Sequence, residues 1–409
     1  MKKDFIPVLL GSDDNVYGFA RSFHALYGIK PIALATTILE PTQNSKILDV
    51  IVDPDLHDEE HFALKLVELA RKLKKEYDRV FIVPCSDEYM ELVCKHKNVL
   101  TDYENEFIEL DKLKRFNDKE SFYKMCDEYK MPYPKSYLCN KKDYKKVLSK
   151  IDLDYPLILK PNNSNSEEYL TASFPGKEKV YFINSAEELL EKIETIYTSS
   201  YQDTLIIQKY VAGDDTNMRV LNAYVDKHGK VKMMCLGQPI LEEYHPKTFG
   251  NYAAIISKTE HISIMDDVKR FLENIGYRGA ANFDIKMDAN TGKYYLFEIN
   301  PRPGRSSFFT YPAGKSFAAC YVEDLIYDNI TPCLNATKEI LWLNVPLYLV
   351  KKYVKNEEIL DKVNELKKSK EVYHTLRYKK DASISRRIIW KKQYLRKAKY
   401  FPKYYIDKK

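Results

Sequence analysis

The sequence predicts a parallel, doubly wound α/β domain, then an α+β region, then a basic helical end. Three observations predict it. Strand and helix signals alternate through the first hundred residues. Residues 217–300 read mostly as strand. The charge also changes sign along the chain: residues 331–409 carry 21 Lys and Arg against 8 Asp and Glu, whereas residues 1–330 carry 44 against 51. With 409 residues and a net charge of +6, the length suits two or three domains.

The elements follow in order. Phe5–Gly11 is an apolar run that stops at a glycine and reads as a buried strand. Ser12, Asp13 and Asn15 offer N-caps for a helix over Asn15–Gly28, with Val16, Phe19, Ala20, Phe23 and Leu26 at helical spacing. Lys30–Thr36, Ile47–Val52 and Arg79–Pro84 read as further strands. Between them Asp58–Tyr77 reads as an amphipathic helix with Phe62, Val67, Leu69, Ala70 and Leu73 inward, and Ser86 and Asp87 open the next helix. The turn after the first strand lies at the carboxyl edge of the sheet, where such folds bind ligands.

A second unit begins near Asp118. Glu120–Lys130 is helical and ends at Met131-Pro132-Tyr133-Pro134, because proline restricts the residue before it. Pro156–Lys160 is a strand, Asn162–Glu168 a polar loop, Ala186–Thr198 a helix and Thr204–Tyr210 a strand. Strands follow at Met218–Val225, Lys230–Leu236, Phe283–Lys286 and Tyr294–Ile299. Asp226–Gly229 and Ala289–Gly292 read as hairpin turns, and Ile264–Ile275 as a helix. No internal repeat is visible.

Composition narrows the function. No stretch approaches the roughly 18 uncharged apolar residues of a membrane-spanning helix. The run FIPVLL is shorter than a signal-peptide core, so a soluble, cytoplasmic chain is expected. Seven dispersed cysteines with no CxxC pair argue against a disulfide framework or a zinc site. Neither GxxxxGK[ST] nor GxGxxG occurs. His57-Asp58-Glu59-Glu60-His61 matches HxxEH, but it falls on the acidic first turn of a helix, where carboxylates serve the helix dipole. The 33 tyrosines are scattered and form no nucleic-acid platform.

The residues that carry chemistry lie further on. Asp284 sits in FDIK, and Glu298 and Asn300 in LFEIN. Strand alternation puts Glu298 and Asn300 on one face, and pairing would bring Asp284 alongside. Two carboxylates and an amide oxygen suit Mg²⁺ bound together with substrate phosphates; a solvated strand face with caps is the weaker alternative. Arg302, Arg305, Ser306 and Ser307 follow directly. Guanidinium forks fit phosphate or carboxylate oxygens. Lys160 ends an apolar strand before a polar loop, which suits phosphate contact or a snorkelling lysine.

At these residues the chain resembles the ATP-grasp superfamily, in the order Asp118-Lys119, Lys160, Gln208-Lys209-Tyr210-Val211, Asp284, Glu298, Asn300 and Arg302. It is more closely similar to the D-aspartate ligases of bacterial cell-wall synthesis. That likeness runs along nearly the whole chain, through IPVLLGSDDNVYGFARSF, SFYKMCDEYKMPYPKS, GDDTNMRVLNAYVD, MMCLGQPILEE, Ala281-Asn282-Phe283-Asp284 and FEINPRPGRSSFF. The resemblance implies an ATP-grasp fold with a pre-grasp domain at 1–113, an N-lobe at 114–211, a C-lobe with the metal site at 212–330 and a basic extension at 331–409. It implies that ATP meets Lys119, Lys160, Gln208, Lys209, Tyr210, Val211 and Asp215. Asp284, Glu298 and Asn300 would bind two Mg²⁺ ions, or Mn²⁺, with Arg302 and Lys160 catalytic. Arg305, Ser306 and Ser307 would hold the amino-acid substrate, with Gly11, Ser12, Asp13 and Asn15 lining the cleft from the first domain. Two features depart from the family pattern: a longer loop, NNSNSEEY, and Pro301 and Pro303 in place of leucine and glutamine.

The implied reaction activates the β-carboxylate of D-aspartate with ATP. It then joins that carboxylate to the ε-amino group of L-lysine in a peptidoglycan stem pentapeptide, nucleotide-linked or lipid-linked. Asp214 and Asp215 are candidates to take the amine's proton only because they follow the hinge, and a capped turn explains them better. The alternative enzyme is an ATP-grasp ligase for another amino acid or amine. The alternative outside enzymes is a basic scaffold, which leaves Asp284, Glu298 and Asn300 unexplained. No nucleic-acid partner is expected. In the tail, Trp390, Tyr394 and Ala398 recur at i+4 among basic residues. That pattern suits a helix lying on the inner face of an anionic membrane, or one packed on the body with a solvated basic face.

Overall fold

Four strands open the chain: β1 (Lys3–Leu10), β2 (Ile32–Ala35), β3 (Asp49–Val52) and β4 (Tyr77–Pro84). All pair in parallel, in the order β3-β2-β1-β4. The computed structural model describes residues 2–163, 166–246, 248 and 250–406, with only the backbone of Asn117. Ser164 and Asn165 of the expected polar loop, and residues 407–409 of the tail, lie outside the described residues.

The first helix, Asp14–Tyr27, starts where Asp13 accepts from the amides of Asn15 and Val16, and stops at Gly28 with φ +67°. Glycine takes that left-handed backbone without a Cβ penalty. Its buried face, Val16, Phe19, Ala20 and Phe23, packs with Phe5, Phe81, Phe308 and Phe317. In the helix Glu59–Leu73 the buried residues are Phe62, Ala63, Leu66, Leu69, Ala70 and Leu73. Val67, expected inward, is half-buried. The stripe runs through 62, 66, 69 and 73, and Val67 lies one position round the helix from it. His61 of the HxxEH match meets the Asp53 carboxylate at 2.9 Å, and Lys65 pairs with the same group.

The chain divides into two units. One comprises Met1–Leu113, Asp214–Ile285 and Glu298–Lys409; the other comprises Lys114–Gly213 and Lys286–Phe297. The second unit holds the antiparallel strands β5 (Ser136–Cys139), β6 (Leu157–Pro161), β7 (Tyr181–Ile183) and β8 (Leu205–Lys209), ordered β5-β8-β6-β7. The helix Ala186–Tyr197 buries Leu189, Ile193 and Ile196 in the core that also takes Leu157, Leu159, Leu205 and Ile207. A short helix, Glu167–Thr171, occupies the end of the expected polar loop, capped by Ser166.

A seven-stranded sheet follows: β9 (Met218–Val225), β10 (Val231–Glu242), β11 (Tyr252–Lys258), β12 (Gly279–Met287), β13 (Tyr294–Asn300), β14 (Leu341–Leu343) and β15 (Val372–Tyr373). Its order is β13-β12-β9-β10-β11-β14-β15. Both expected hairpin turns form, closed by Asp226 with Lys230 and by Asp288 with Lys293. The basic end carries helices, as expected, and also supplies β14 and β15, which the sequence reading does not anticipate. Three residues of β14 and two of β15 are too few to show a period.

The C-terminal helix, Ile384–Tyr404, is capped by Ser383 and packs on the first unit. Phe401 is fully buried with Tyr244, Leu349 and Val363. Arg386 is buried, its guanidinium donating to Pro41 O at 2.6 Å and facing Asp381 at 3.2 Å. Trp390 and Tyr394 are half-buried, both rings lying against the Arg377 guanidinium. The exposed apolar residues on this helix are Ile384, Ile388 and Leu395. Among the described residues no helix is long and apolar enough to cross a membrane.

Candidate active site

In the second unit, β6 ends at Lys160, and β8 places Gln208 beside it. Lys160 Nζ donates to Gln208 Oε1 at 3.0 Å. The Gln208 amide donates in turn to Tyr123 Oη at 2.9 Å and Ser136 Oγ at 2.8 Å. Gln208 is buried and its side-chain groups are engaged, so it fixes the lysine. Lys119 opens the helix Lys119–Glu128, whose cap Asp118 accepts from the Ser121 amide and from Asn162 Nδ2. Past the strand, Lys209 reaches the Tyr295 ring and Lys286 the Tyr210 ring, while Val211 is buried.

In the first unit, β12 and β13 bring Asp284 and Asn300 together. Asn300 Nδ2 lies 3.5 Å from Asp284 Oδ2, and the Tyr252 hydroxyl donates to Asp284 Oδ1 at 2.6 Å. Burial and the charge of Glu298 push the Asp284 carboxyl up to about 6. A second carboxylate raising a buried one is what a bound cation would relieve. The donors are all oxygen, which is the chemistry Mg²⁺ prefers, so the residues present fit a divalent ion.

Arg302 follows on the same chain. Its Nε and Nη2 donate to the two oxygens of Asp87 at 2.9 and 2.8 Å, and Nη2 also lies 3.3 Å from Asn300 Oδ1. The guanidinium fork expected to meet phosphate therefore holds a carboxylate here. Asp87 entered the sequence reading only as a helix opener; its place after β4, at the carboxyl edge of the first sheet, was the available signal. Tyr252 was missed because β11 was missed.

The first-domain residues are placed by the same turn. Gly11 has φ +116°, and an added Cβ would come within 3.3 Å of Val16. Ser12 Oγ donates to Thr37 O at 2.7 Å. Asn15 donates to Cys85 O and Pro303 O and accepts from Ser307 Oγ at 2.9 Å. Asn15 and Ser307 are thus tied to each other, and Ser306 is buried in the same turn. Arg305 is exposed and lines a cavity of about 730 Å³ with Asp13, Asp14, Glu243 and Lys397. Burial pushes the Asp14 carboxyl up to about 6 and raises Asp13 as well. Asp214 and Asp215 are both engaged. Asp214 caps the turn at Thr216 and Asn217, and Asp215 accepts from the Glu242 amide at 3.0 Å and the Tyr244 hydroxyl at 2.8 Å.

A family model described as D-ala D-ala ligase C-terminus matches residues 127–331. Among solved structures the fold is like that of N5-carboxyaminoimidazole synthetase from Staphylococcus aureus, with a TM-score of 0.58 at 16% identity, over 83% of this chain and 82% of that one. Fold and family together define an ATP-grasp carboxylate–amine ligase. The chain is 25% identical over 191 residues to the D-alanine–D-alanine ligase of Haemophilus influenzae (strain PittEE), covering 45% of this chain and 57% of that protein. It is 37% identical over 414 residues to the D-aspartate ligase of Enterococcus faecium (strain Aus0004), covering 98% of this chain and 97% of that protein. The chain belongs to the D-aspartate ligase family.

Proposed function

We propose that this chain uses ATP to activate the β-carboxylate of D-aspartate as an acyl phosphate. It then joins that carboxylate to a peptidoglycan precursor, at the ε-amino group of L-lysine in the stem pentapeptide. The observation that carries the reading is 37% identity to a D-aspartate ligase along 98% of the chain.

Lys119 and Lys160 meet the nucleotide phosphates, and Gln208 acts through Lys160 by holding its ammonium. The adenine contact falls to the backbone of Lys209, Tyr210 and Val211. Asp284, Glu298 and Asn300 hold the divalent ion. Mg²⁺, when bound, supplies charge neutralisation on the phosphates; two ions, or Mn²⁺, would serve the same set. Arg302 turns from Asp87 to the transferred phosphoryl group. Asp87 is half-exposed, so water takes up its carboxylate when the pair opens, whereas the Arg302 side chain is mostly buried and needs the phosphoryl oxygens in exchange. Arg305 and Ser306 take the aspartate carboxylates, and Asn15 with Ser307 fix the turn that presents them. The lysine amine, with an ordinary pKa near 10.4, must lose a proton before attack. Asp13 and Asp214 are occupied as caps and Asp215 is held by the Glu242 amide and the Tyr244 hydroxyl, which leaves Asp14 in the Arg305 cavity as the acceptor.

The test is phosphate release with Mg-ATP and a lysine-containing UDP-MurNAc-pentapeptide, comparing D-aspartate, L-aspartate and no amino acid, with product mass read in parallel. Turnover with D-aspartate alone, adding one aspartyl unit, is expected. Turnover with neither aspartate would move the function to another amino acid. We also propose that the ligase works in the cytoplasm, with contact to the inner face of the membrane through Ile384, Ile388 and Leu395 among the lysines of the C-terminal helix. Full-length protein should then co-sediment with anionic liposomes, and K391E/K392E should not.

A further inference from the structure

A second cavity, of about 520 Å³, lies in the first unit. Four cations line it: Arg21, Lys367, Lys370 and Arg377. Among the described residues no carboxylate does. Arg21 is 9% exposed, clamped between the Phe308 and Tyr378 rings at 4.5 and 5.0 Å. Its Nη1 donates to the carbonyl oxygens of His374 and Thr375, at 2.5 and 2.8 Å, and its Nε is buried without a hydrogen-bond partner. Arg377, which is exposed at the cavity's edge, lies 3.7 Å from the Trp390 ring centre. Among the described residues neither arginine has an ion-pair partner. The nearby Glu371 is held by Lys338 and the Tyr373 hydroxyl.

A buried cation without a counterion is costly to hold. Burial, and after it the charges of Arg377 and Arg21, push the His374 imidazole down to about 3, so His374 adds no counter-charge and no further cation to the lining. The positive charge of the cavity is balanced when an anion with several charged oxygens enters. The volume falls in the range of organic-ligand sites and exceeds what an inorganic phosphate needs. Leu343, Leu347 and Val372 supply an apolar wall. We infer that this cavity binds a phosphorylated organic anion, with the phosphoryl oxygens on Arg21 and Arg377 and the organic body on the apolar wall. Lys367 and Lys370, exposed at the mouth, draw the anion in. The inference does not need the ligase reading, and its failure leaves the ligation assay untouched.

The chain carries its own reporter. It has two tryptophans: Trp390 against Arg377, and Trp342, whose Nε1 donates to Thr375 Oγ1 at 2.9 Å. The experiment titrates the full-length protein, without nucleotide or Mg²⁺, with pyrophosphate and with uridine diphosphate, and follows tryptophan fluorescence. A saturable change is expected with both, tighter for the diphosphate that carries an organic body. K367E/K370E alters exposed residues only, and it should weaken both at least tenfold while its circular dichroism stays unchanged. K160A, altered at the nucleotide lysine, should keep the response. Three results overturn the inference: no saturable change, an unchanged response in K367E/K370E, or a response lost in K160A and kept in K367E/K370E.

Discussion

Replacing Lys397 by methionine should destabilise the protein by about 3 kcal/mol at neutral pH. Lys397 Nζ lies 2.9 Å from Glu243 Oε1 and 2.8 Å from Asn344 O. The side chains are 12% and 4% exposed, so water screens little of the pair. Removing one partner of such a pair leaves a buried charge and costs about 3–5 kcal/mol. The lower end applies because Tyr400 Oη and Asn344 Nδ2 remain near the Glu243 carboxylate, each at 3.4 Å. For a chain of 409 residues, at about 2.1 cal/mol/K of unfolding entropy per residue, the melting temperature should fall by roughly 3–4 °C. Burial pushes the Glu243 carboxyl up, but Lys397 and its hydrogen bonds bring it below the ordinary value. A depressed carboxyl stabilises above its unfolded pKa, near 4.3, and that contribution disappears as pH falls through the folded value. The deficit of the variant should therefore be full at pH 7 and shrink as pH falls below about 4. Thermal melts between pH 3 and 8 measure both, and E243Q/K397M should recover most of the loss. A melting temperature within 1–2 °C of the parent at pH 7, or a deficit that does not change with pH, would refute the reasoning.

Glu298→Gln should lower kcat by about tenfold to a thousandfold, as loss of a key electrostatic group commonly does; steady-state phosphate release measures it. Asp87→Asn should leave the melting temperature nearly unchanged, because Asp87 is half-exposed. It should still change the KM for ATP severalfold by freeing Arg302. Gly237→Ala should cost about 1–3 kcal/mol, because its Cβ would fall 2.7 Å from Ile255 and 2.9 Å from Phe309 and Val220; chemical denaturation reads it. Phe401→Ala should cost about 3–5 kcal/mol by the same assay.

The elements that the sequence shows best have long, one-faced patterns. The first helix runs through Val16, Phe19, Ala20 and Phe23, and β9 has the bounds expected for it, Met218–Val225. The approach of Asp284 to Asn300 was also legible, because the two lie on neighbouring strands joined by a short turn, so that their pairing is nearly local. What could not be read is what long-range packing decides. Arg302 meets Asp87, 215 residues away, and Asn15 meets Ser307 across 292. No local period encodes such partners. Ser307 read as a substrate hydroxyl because its type suits an anion, yet in the fold its hydroxyl is given to Asn15.

The basic end shows the same limit and changes how it must be tested. Its charge excess is plain in the sequence, and a free helix of that composition would suit an anionic surface. In the fold, several of those cations already have partners inside the first unit. Arg386 faces Asp381, Lys397 faces Glu243 and Arg396 reaches Glu40 at 2.7 Å. Phe401 fills the core beside them. Deleting everything after Ser385 would strip two buried carboxylates of their cations and open a cavity where Phe401 stood. Loss of liposome binding after that deletion would report unfolding as readily as a lost membrane contact. Charge reversal at Lys391 and Lys392, which are exposed, separates the two: it removes attraction to the surface and leaves Arg386, Lys397 and Phe401 in place.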